Sequence, residues 1–373
     1  MEPYLLIFNW MDIRNPKAGG QEKYCYEMAK RLTRDGLRVV WIASGFRGGD
    51  KKEIYDGIEI LRVGSIYTVY VLSFFTYIKL RKARYVLISI NAIPFIAPFH
   101  RKRRLVMLHH RIDYKTMKEK IGLLGIVSLV LQDRINPILY RKDHIITVSN
   151  SSKEDFESIG YKNISVVKLG VNNPALDLRS KTELVVSPGP VKPWKHHDLA
   201  LRAFSRMEEK WKIAIFGSFE SKEYENQLKE LAEQLGIAGR VKFYGRVDES
   251  QLADIYRQAK ICILATEKEG WGLTAMEAQS YGSPVVGFDV PGLRDSVKNG
   301  ITGILVPYGD VSALGNALVE LSMNEKLLTQ MSYRAVERAK EYDWEICYEE
   351  FKEKISELEF NEEKGHRKQD HPL

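Results

Sequence analysis

Glu269 and Glu277 flank the run Gly270, Trp271, Gly272, Leu273 and Thr274, so two carboxylates stand on either side of a glycine-rich turn. The residues just before it, Ile261 to Thr266, are apolar and partly β-branched, the pattern of a buried strand. A turn that leaves the carboxyl end of such a strand and opens a helix near Thr274 presents unpaired backbone N–H groups and the positive end of a helix dipole. An anion, phosphate above all, is the natural guest. Glu269 on the turn then reaches a hexose hydroxyl, while Glu277, about one turn inside the helix, accepts bonds from a ribose. The set describes a pocket for a sugar nucleotide. The same spacing also suits a solvated helix cap with two surface glutamates. A glycosidase acid and nucleophile is a further reading, but it leaves the anion site without a role.

The elements that must hold this turn are legible around it. Gly282 stops the helix and Val285 begins another buried strand, a helix-to-strand step of the kind found in doubly wound sheets. Strands and helices alternate along the whole chain, which predicts parallel sheets covered on both faces. In the first half the strands are expected at Leu5 to Phe8, Val39 to Ala43, Tyr85 to Ile90, Leu105 to Leu108, His144 to Val148 and Ser165 to Lys168. In the second half they are expected at Leu184 to Ser187, Lys212 to Phe216, Val241 to Tyr244, Ile261 to Leu264, Val285 to Phe288 and Gly303 to Val306. Asn and Pro cluster between Val171 and Asp177 and mark a linker. A length of 373 residues with 44% hydrophobic content suits two cores.

Other candidate ligand groups sit at strand ends. Gly19 and Gly20 follow the first strand and precede a helix with the apolar stripe Tyr24, Met28, Ala29 and Leu32; paired glycines there permit close backbone approach to a ligand, or serve only a tight turn. His109 and His110 end the strand Leu105 to Leu108, where open α/β sheets place ligands, although a lone histidine there is more often structural.

The run from Glu269 to Pro307 resembles the carboxyl-terminal signature of the family 4 retaining glycosyltransferases. The resemblance implies the GT-B fold: α/β, two doubly wound Rossmann-like domains facing across a cleft, with a C-terminal helix crossing back to the first domain. With the linker read above it gives an acceptor-side domain at 1–175, a nucleotide-sugar-binding domain at 176–342 and a crossover helix at 343–360, and the polar composition that follows reads as a disordered tail at 361–373. Carried over residue by residue, the loop of Gly19 and Gly20, with Glu22 also matching, faces the donor phosphate and the acceptor, and His109, with His110 a near alternative, contacts the donor sugar. Gly189 and Lys195 match a glycine and a cation that hold the donor diphosphate. Pro190 occupies the position of the family's arginine, a departure that removes one cation from the leaving group; Lys192 is the candidate replacement, without arginine's bidentate fork. Gly245 and Arg246 fall on a loop that lines the base. The donor-binding set is therefore Gly19, Gly20, Gly189, Lys195, Gly245, Arg246, Glu269, Gly270, Trp271, Gly272, Leu273, Thr274 and Glu277, with His109, Glu269 and Lys195 as catalytic candidates.

Charge is uneven. Residues 1–174 hold 29 Lys and Arg against 16 Asp and Glu, a net of +13, and the rest hold 27 against 33, a net of −6, which together make the overall +7. The basic clusters Arg81 to Arg84, Arg101 to Arg104 and Lys115 to Lys120 lie beside the apolar runs Ile66 to Ile78 and Ile121 to Gln132, both too short to span a bilayer. That pattern suits an anionic membrane surface, or core helices with a solvated charged face. No RNA-binding signature, zinc spacing or helix-turn-helix pattern stands out, so nucleic acid is not an expected partner. Cys25, Cys262 and Cys347 lack metal-ligand spacing, and no Asp-x-Asp triplet offers a divalent-cation site. Met1 to Tyr4 lead straight into a strand without the features of a signal peptide. The expectation is a cytoplasmic, membrane-peripheral, metal-independent hexosyltransferase. It needs no cofactor, uses a nucleoside diphosphate sugar as co-substrate and glycosylates a sugar or lipid-linked acceptor. A catalytically inactive sugar-nucleotide-binding subunit and a same-fold epimerase are the alternatives.

Overall fold

The computed structural model describes residues 2–91, 93–100, 103–109, 111 and 123–367. The chain forms two units, one of Met1–Gly170 with Trp344–Leu373 and one of Val171–Asp343. Both are parallel-sheet α/β units.

The first unit contains β1 (Leu5–Phe8), β2 (Val39–Ala43), β3 (Lys52–Tyr55), β4 (Ile58–Arg62), β5 (Tyr85–Ile90), β6 (Arg104–Leu108), β7 (His144–Thr147) and β8 (Ile164–Val166), in the order β3-β4-β2-β1-β5-β6-β7-β8. Every residue of β1, β2, β5 and β6 is buried, because parallel strands are covered on both faces; this is why they read as continuous apolar runs. The order runs outward from β1 through β2 on one side and through β5 on the other, so loops diverge above the β1–β5 pair. The edge hairpin β3–β4 is absent from the sequence expectation. It is antiparallel, with Tyr55 opposite Ile58, and turns through Asp56 (φ 49°) and Gly57 (φ 81°), the positive-φ pair of a type I′ turn. The Asp-Gly dipeptide was its local signal.

The helix Gly20–Arg34 buries Tyr24, Met28, Ala29 and Leu32. Against it packs the last helix, Trp344–Arg367: the Tyr24 ring meets Trp344 at 6.4 Å and Phe351 at 6.2 Å, and both terminal nitrogens of Arg34 donate to the Glu345 carboxylate at 2.9 Å. This helix runs past residue 360 to Arg367, which corrects the expected start of a disordered tail. Its last turns are rich in Glu and Lys, good helix formers, and no proline interrupts before Pro372. The first unit's leading segment ends at Gly170, short of the expected 175. A Cβ on Gly170 would lie 2.5 Å from the Trp344 ring, so only glycine allows the close approach there.

The second unit is wholly parallel: β9 (Thr182–Pro188), β10 (Lys212–Phe216), β11 (Val241–Gly245), β12 (Ala259–Leu264), β13 (Val285–Phe288) and β14 (Gly303–Val306), in the order β11-β10-β9-β12-β13-β14. Strand order reverses between β9 and β12. The expected chemistry lies on the two loops that leave those strands.

Candidate functional site

The loop after β12 is held from below. The Glu269 N–H donates to the Pro291 carbonyl at 3.1 Å, and Gly292 (φ 84°) presses so closely that a Cβ there would lie 2.3 Å from the Glu269 carbonyl oxygen. Gly272 (φ 83°) begins the helix Leu273–Ser280, and a Cβ on it would lie 2.5 Å from Ser296 Oγ. Two glycine turns thus interlock, and neither accepts a side chain. Trp271 is buried against Tyr342 with ring centroids 5.1 Å apart. These contacts fix the course of the turn, and the first N–H groups of the helix, which have no partner within it, are presented at its opening.

The loop after β9 faces this turn across the switch point. Lys195 Nζ and Glu269 Oε1 form an ion pair, and both side chains are largely buried. A second link joins the loops where the Glu267 N–H meets the Trp194 carbonyl at 3.5 Å. The two residues expected to hold the diphosphate and the sugar are therefore brought into direct contact. Glu277 lies one turn inside the helix and half-buried. Burial pushes the Tyr256 phenol and the Cys262 thiol up, with the negative Glu277 carboxylate nearby as a smaller cause.

Gly189 and Gly245 are joined by a residue that the sequence pattern did not single out. Gly217 follows β10 as the other two follow β9 and end β11; its N–H donates to the Gly245 carbonyl at 2.8 Å, while the Gly189 N–H donates to the Phe216 carbonyl at 3.0 Å. With φ at 140°, a Cβ on Gly217 would lie 2.0 Å from the Gly189 oxygen. A row of glycines at three adjacent strand ends keeps this edge of the sheet bare. Repetition of the strand-then-glycine step was the signal for Gly217. Arg246 is exposed. Pro190 is exposed too, and Lys192 lies over the Trp194 ring, its ammonium 5.1 Å from the centroid. Under this loop His197 is buried, with Nδ1 2.9 Å from Ser187 Oγ, and burial lowers its pKa to about 4.

In the first unit the loop after β1 is pinned at both ends. Asp12 accepts two hydrogen bonds from Arg62, at 2.8 and 2.9 Å, with both side chains buried. Glu22 accepts from the Gly19 N–H at 2.8 Å, from Trp10 Nε1 at 3.2 Å and from Asn9 Nδ2 at 3.3 Å, and burial raises its pKa. Gly19 has extended backbone, φ −129°, and nothing closer than 3.8 Å would meet a Cβ on it. A tight turn is not why it is glycine. Gly20 opens the helix. His109 follows β6, buried; its carbonyl accepts from Ser152 Oγ at 2.9 Å and its ring stands edge-on to Tyr24 at 6.3 Å. His110 lies outside the described residues. Asp12 and Arg62 were not anticipated, since their meeting depends on the unforeseen β4. Among the described residues no group of three or more His, Cys, Asp or Glu side chains is placed to hold a metal ion.

Comparison with known proteins covers both units. The family described as Glycosyl transferases group 1 matches residues 172–338, and that described as Glycosyltransferase Family 4 matches residues 18–173. A D-inositol 3-phosphate glycosyltransferase of Kribbella flavida is 30% identical over 225 residues, 53% of this chain and 53% of that protein. Another, from Catenulispora acidiphila, is 31% identical over 257 residues, 60% of each chain. The matched segments thus span a little over half the length of these curated relatives. Among solved structures, sucrose-phosphate synthase from Thermosynechococcus elongatus superposes with a TM-score of 0.78 at 18% identity, covering 96% of this chain and 99% of that one. Anabaena HepE in complex with UDP and glucose gives 0.74 at 18% identity, with 95% and 99% covered. These likenesses show the fold.

Proposed function

The chain belongs to the family 4, group 1 glycosyltransferases, and from that premise we propose that it moves a hexose from a nucleoside diphosphate sugar to an acceptor with retention of configuration. One observation carries the reading: the Lys195–Glu269 pair sits at the switch point, beside the free amides that open the helix Leu273–Ser280. On this proposal the diphosphate takes the helix amides and Lys195, Glu269 turns to the sugar hydroxyls, and Glu277 accepts from the ribose. The bare glycine edge at Gly189, Gly217 and Gly245, with Arg246, receives the base, while Gly270, Trp271 and Leu273 shape the turn.

The leaving diphosphate gains charge as the glycosidic bond breaks, and a preoriented ammonium with helix amides stabilises that charge without a metal ion. Glu269 positions the sugar and is not the nucleophile. In the first unit Gly19 and Gly20 leave room for ligand atoms and His109 contacts the donor sugar. The base is uracil or guanine, the acceptor a sugar or lipid-linked sugar, and the setting a peripheral one on the inner face of the membrane. Support for a nucleotide partner comes from HepE, which was solved with UDP and with UDP-glucose.

A second reading, an inactive sugar-nucleotide-binding subunit, is favoured by Pro190, which supplies neither the family's cation nor an N–H. A transfer assay with UDP- and GDP-sugars, read by mass and by the anomeric configuration of the product with chelator present, separates the two. A retained anomer supports the proposal. Donor binding without turnover on any acceptor supports the inactive subunit.

A further inference from the structure

The first unit carries an exposed apolar face that the donor site does not use. The helix Val69–Lys79 buries Val69, Ser73 and Tyr77, yet turns Val71 and Phe75 to solvent; Ile96 and Phe99 of the neighbouring segment and Ile138 are likewise more than half exposed. Internal bonds fix this segment against the helix. The Phe99 N–H donates to the Tyr77 hydroxyl at 3.0 Å, which pairs with His100 Nδ1 at 2.8 Å, and His100 Nε2 meets the Ala83 carbonyl at 2.6 Å. On the other side the Tyr140 hydroxyl donates to the Phe95 carbonyl at 2.6 Å and Arg104 Nη1 to the Ala97 carbonyl at 3.2 Å. Phe95, Ala97 and His100 are therefore buried while Ile96 and Phe99 point outward from an anchored chain. Their exposure follows from these anchoring bonds. Apolar groups held outward in this way mark an interaction surface.

Charge says what covers it. No Asp or Glu occurs between Glu59 and Asp113. Lys79 ends the helix, Arg81 and Lys82 follow it, and Arg141 and Lys142 follow Tyr140; all are exposed and none forms an ion pair among the described residues. Nearby acids are engaged elsewhere: Asp143 is buried against Arg104 at 2.6 Å, and Asp133 pairs with Arg111 at 2.6 Å. Apolar side chains framed by unpaired cations match the acyl boundary and the headgroups of an anionic bilayer. No helix of the described residues is long and apolar enough to cross a membrane, so the contact is a docking one.

We propose that Val71, Phe75, Ile96, Phe99 and Ile138, framed by Arg81, Lys82, Arg141 and Lys142, form a docking face for an anionic lipid bilayer. This deepens the peripheral reading above, but rests on the first unit's surface and not on the donor site.

The test is cosedimentation of the full chain with phosphatidylcholine vesicles, with and without phosphatidylglycerol, at low and high salt. Wild type is expected to sediment only with the anionic vesicles, less so at high salt. Phe75→Ser/Phe99→Ser should lower partitioning at least about tenfold with an unchanged melting temperature, since both side chains are exposed. Arg81→Gln/Lys82→Gln should lower it about thirtyfold. Equal binding to both vesicle types, no binding to either, or both variants partitioning like wild type overturns the proposal. Concentration-dependent self-association lost in the Phe75→Ser/Phe99→Ser variant, with vesicles left bare, assigns the face to a second copy and also overturns it. Nucleoside diphosphate binding measured on the same preparation shows whether the donor-site reading stands independently.

Discussion

Lys195 and Glu269 close an ion pair between the loops that leave β9 and β12, the strands between which the order of the second sheet reverses. Each side chain is largely shielded from water, so neither is well tolerated without the other: removing one leaves a mostly buried charge uncompensated. On the proposed reading a sugar diphosphate would exchange these partners: the ammonium would pass from carboxylate to phosphate, and the carboxylate from ammonium to hydroxyl.

That exchange predicts non-additive mutants. Glu269→Ala should cut transfer by about 100-fold or more while the chain stays folded, as loss of a preorganised polar contact at a reacting centre does. Lys195→Ala should cost at least as much and also weaken nucleoside diphosphate binding. The double variant should be little worse than the poorer single one, because the residues act as a pair. Initial rates and calorimetric titration with the nucleotide check all three; full activity in a folded Glu269→Ala variant removes this residue from the site.

The glycines divide into two groups. Gly292→Ala and Gly217→Ala each add a Cβ to a positive-φ position within 2.3 and 2.0 Å, respectively, of a carbonyl oxygen. Each should cost roughly 3 kcal/mol in urea unfolding. Gly19→Ala adds a Cβ at φ −129° that meets nothing closer than 3.8 Å, so the loss should stay within about 1 kcal/mol. If Gly19 keeps space for a ligand, transfer falls in that variant although stability does not. A Gly19→Ala enzyme with wild-type kinetics would return this residue to a plain helix cap.

These differences explain what could be read from sequence. The buried strands were legible because covered parallel strands are unbroken apolar runs, and the turn at Gly270 to Gly272 because its glycines lie next to the carboxylates in the chain. Gly292 was not, since its need for glycine comes from a carbonyl on another loop, and Gly217 showed only the repeated strand-then-glycine step, without the contact that requires it. Asp12–Arg62 was hidden for the same reason. The β3–β4 hairpin is a different case: Asp56-Gly57 announced it locally, but Lys52 to Tyr55 is a half-exposed edge strand with no apolar run to draw attention. The end of the first segment at Gly170 is set by the Trp344 ring, a contact that spans the whole second unit in sequence.

His197 gives the second unit an acid-sensitive term. Burial lowers its pKa to about 4 in the folded chain, whereas an unfolded histidine titrates near 6.5. Between these values the unfolded chain binds a proton that the folded chain refuses, so stability is full above the unfolded value and falls as pH drops toward 4. The full difference is about 3 kcal/mol. Urea unfolding at steps from neutral pH to pH 4 should show that loss in wild type and a smaller one in His197→Asn. Equal acid sensitivity in the two would place the titrating group elsewhere.

Pro190 decides between an active and an inactive site. It stands on the β9 loop where the resemblance calls for a second cation, and Lys192, the nearest replacement in sequence, is occupied over the Trp194 ring. Lysine drawn from an aromatic face is a weaker and less directional partner for diphosphate than an arginine fork. If the chemical step is limited by charge on the departing diphosphate, Pro190→Arg should raise kcat by about tenfold or more and leave the acceptor KM unchanged. Lys192→Ala should then lower kcat in wild type but matter little in Pro190→Arg, since the new guanidinium takes over its task. If Pro190→Arg binds the donor more tightly and still transfers nothing, the missing cation is not what limits the site, and the chain acts as a binding subunit.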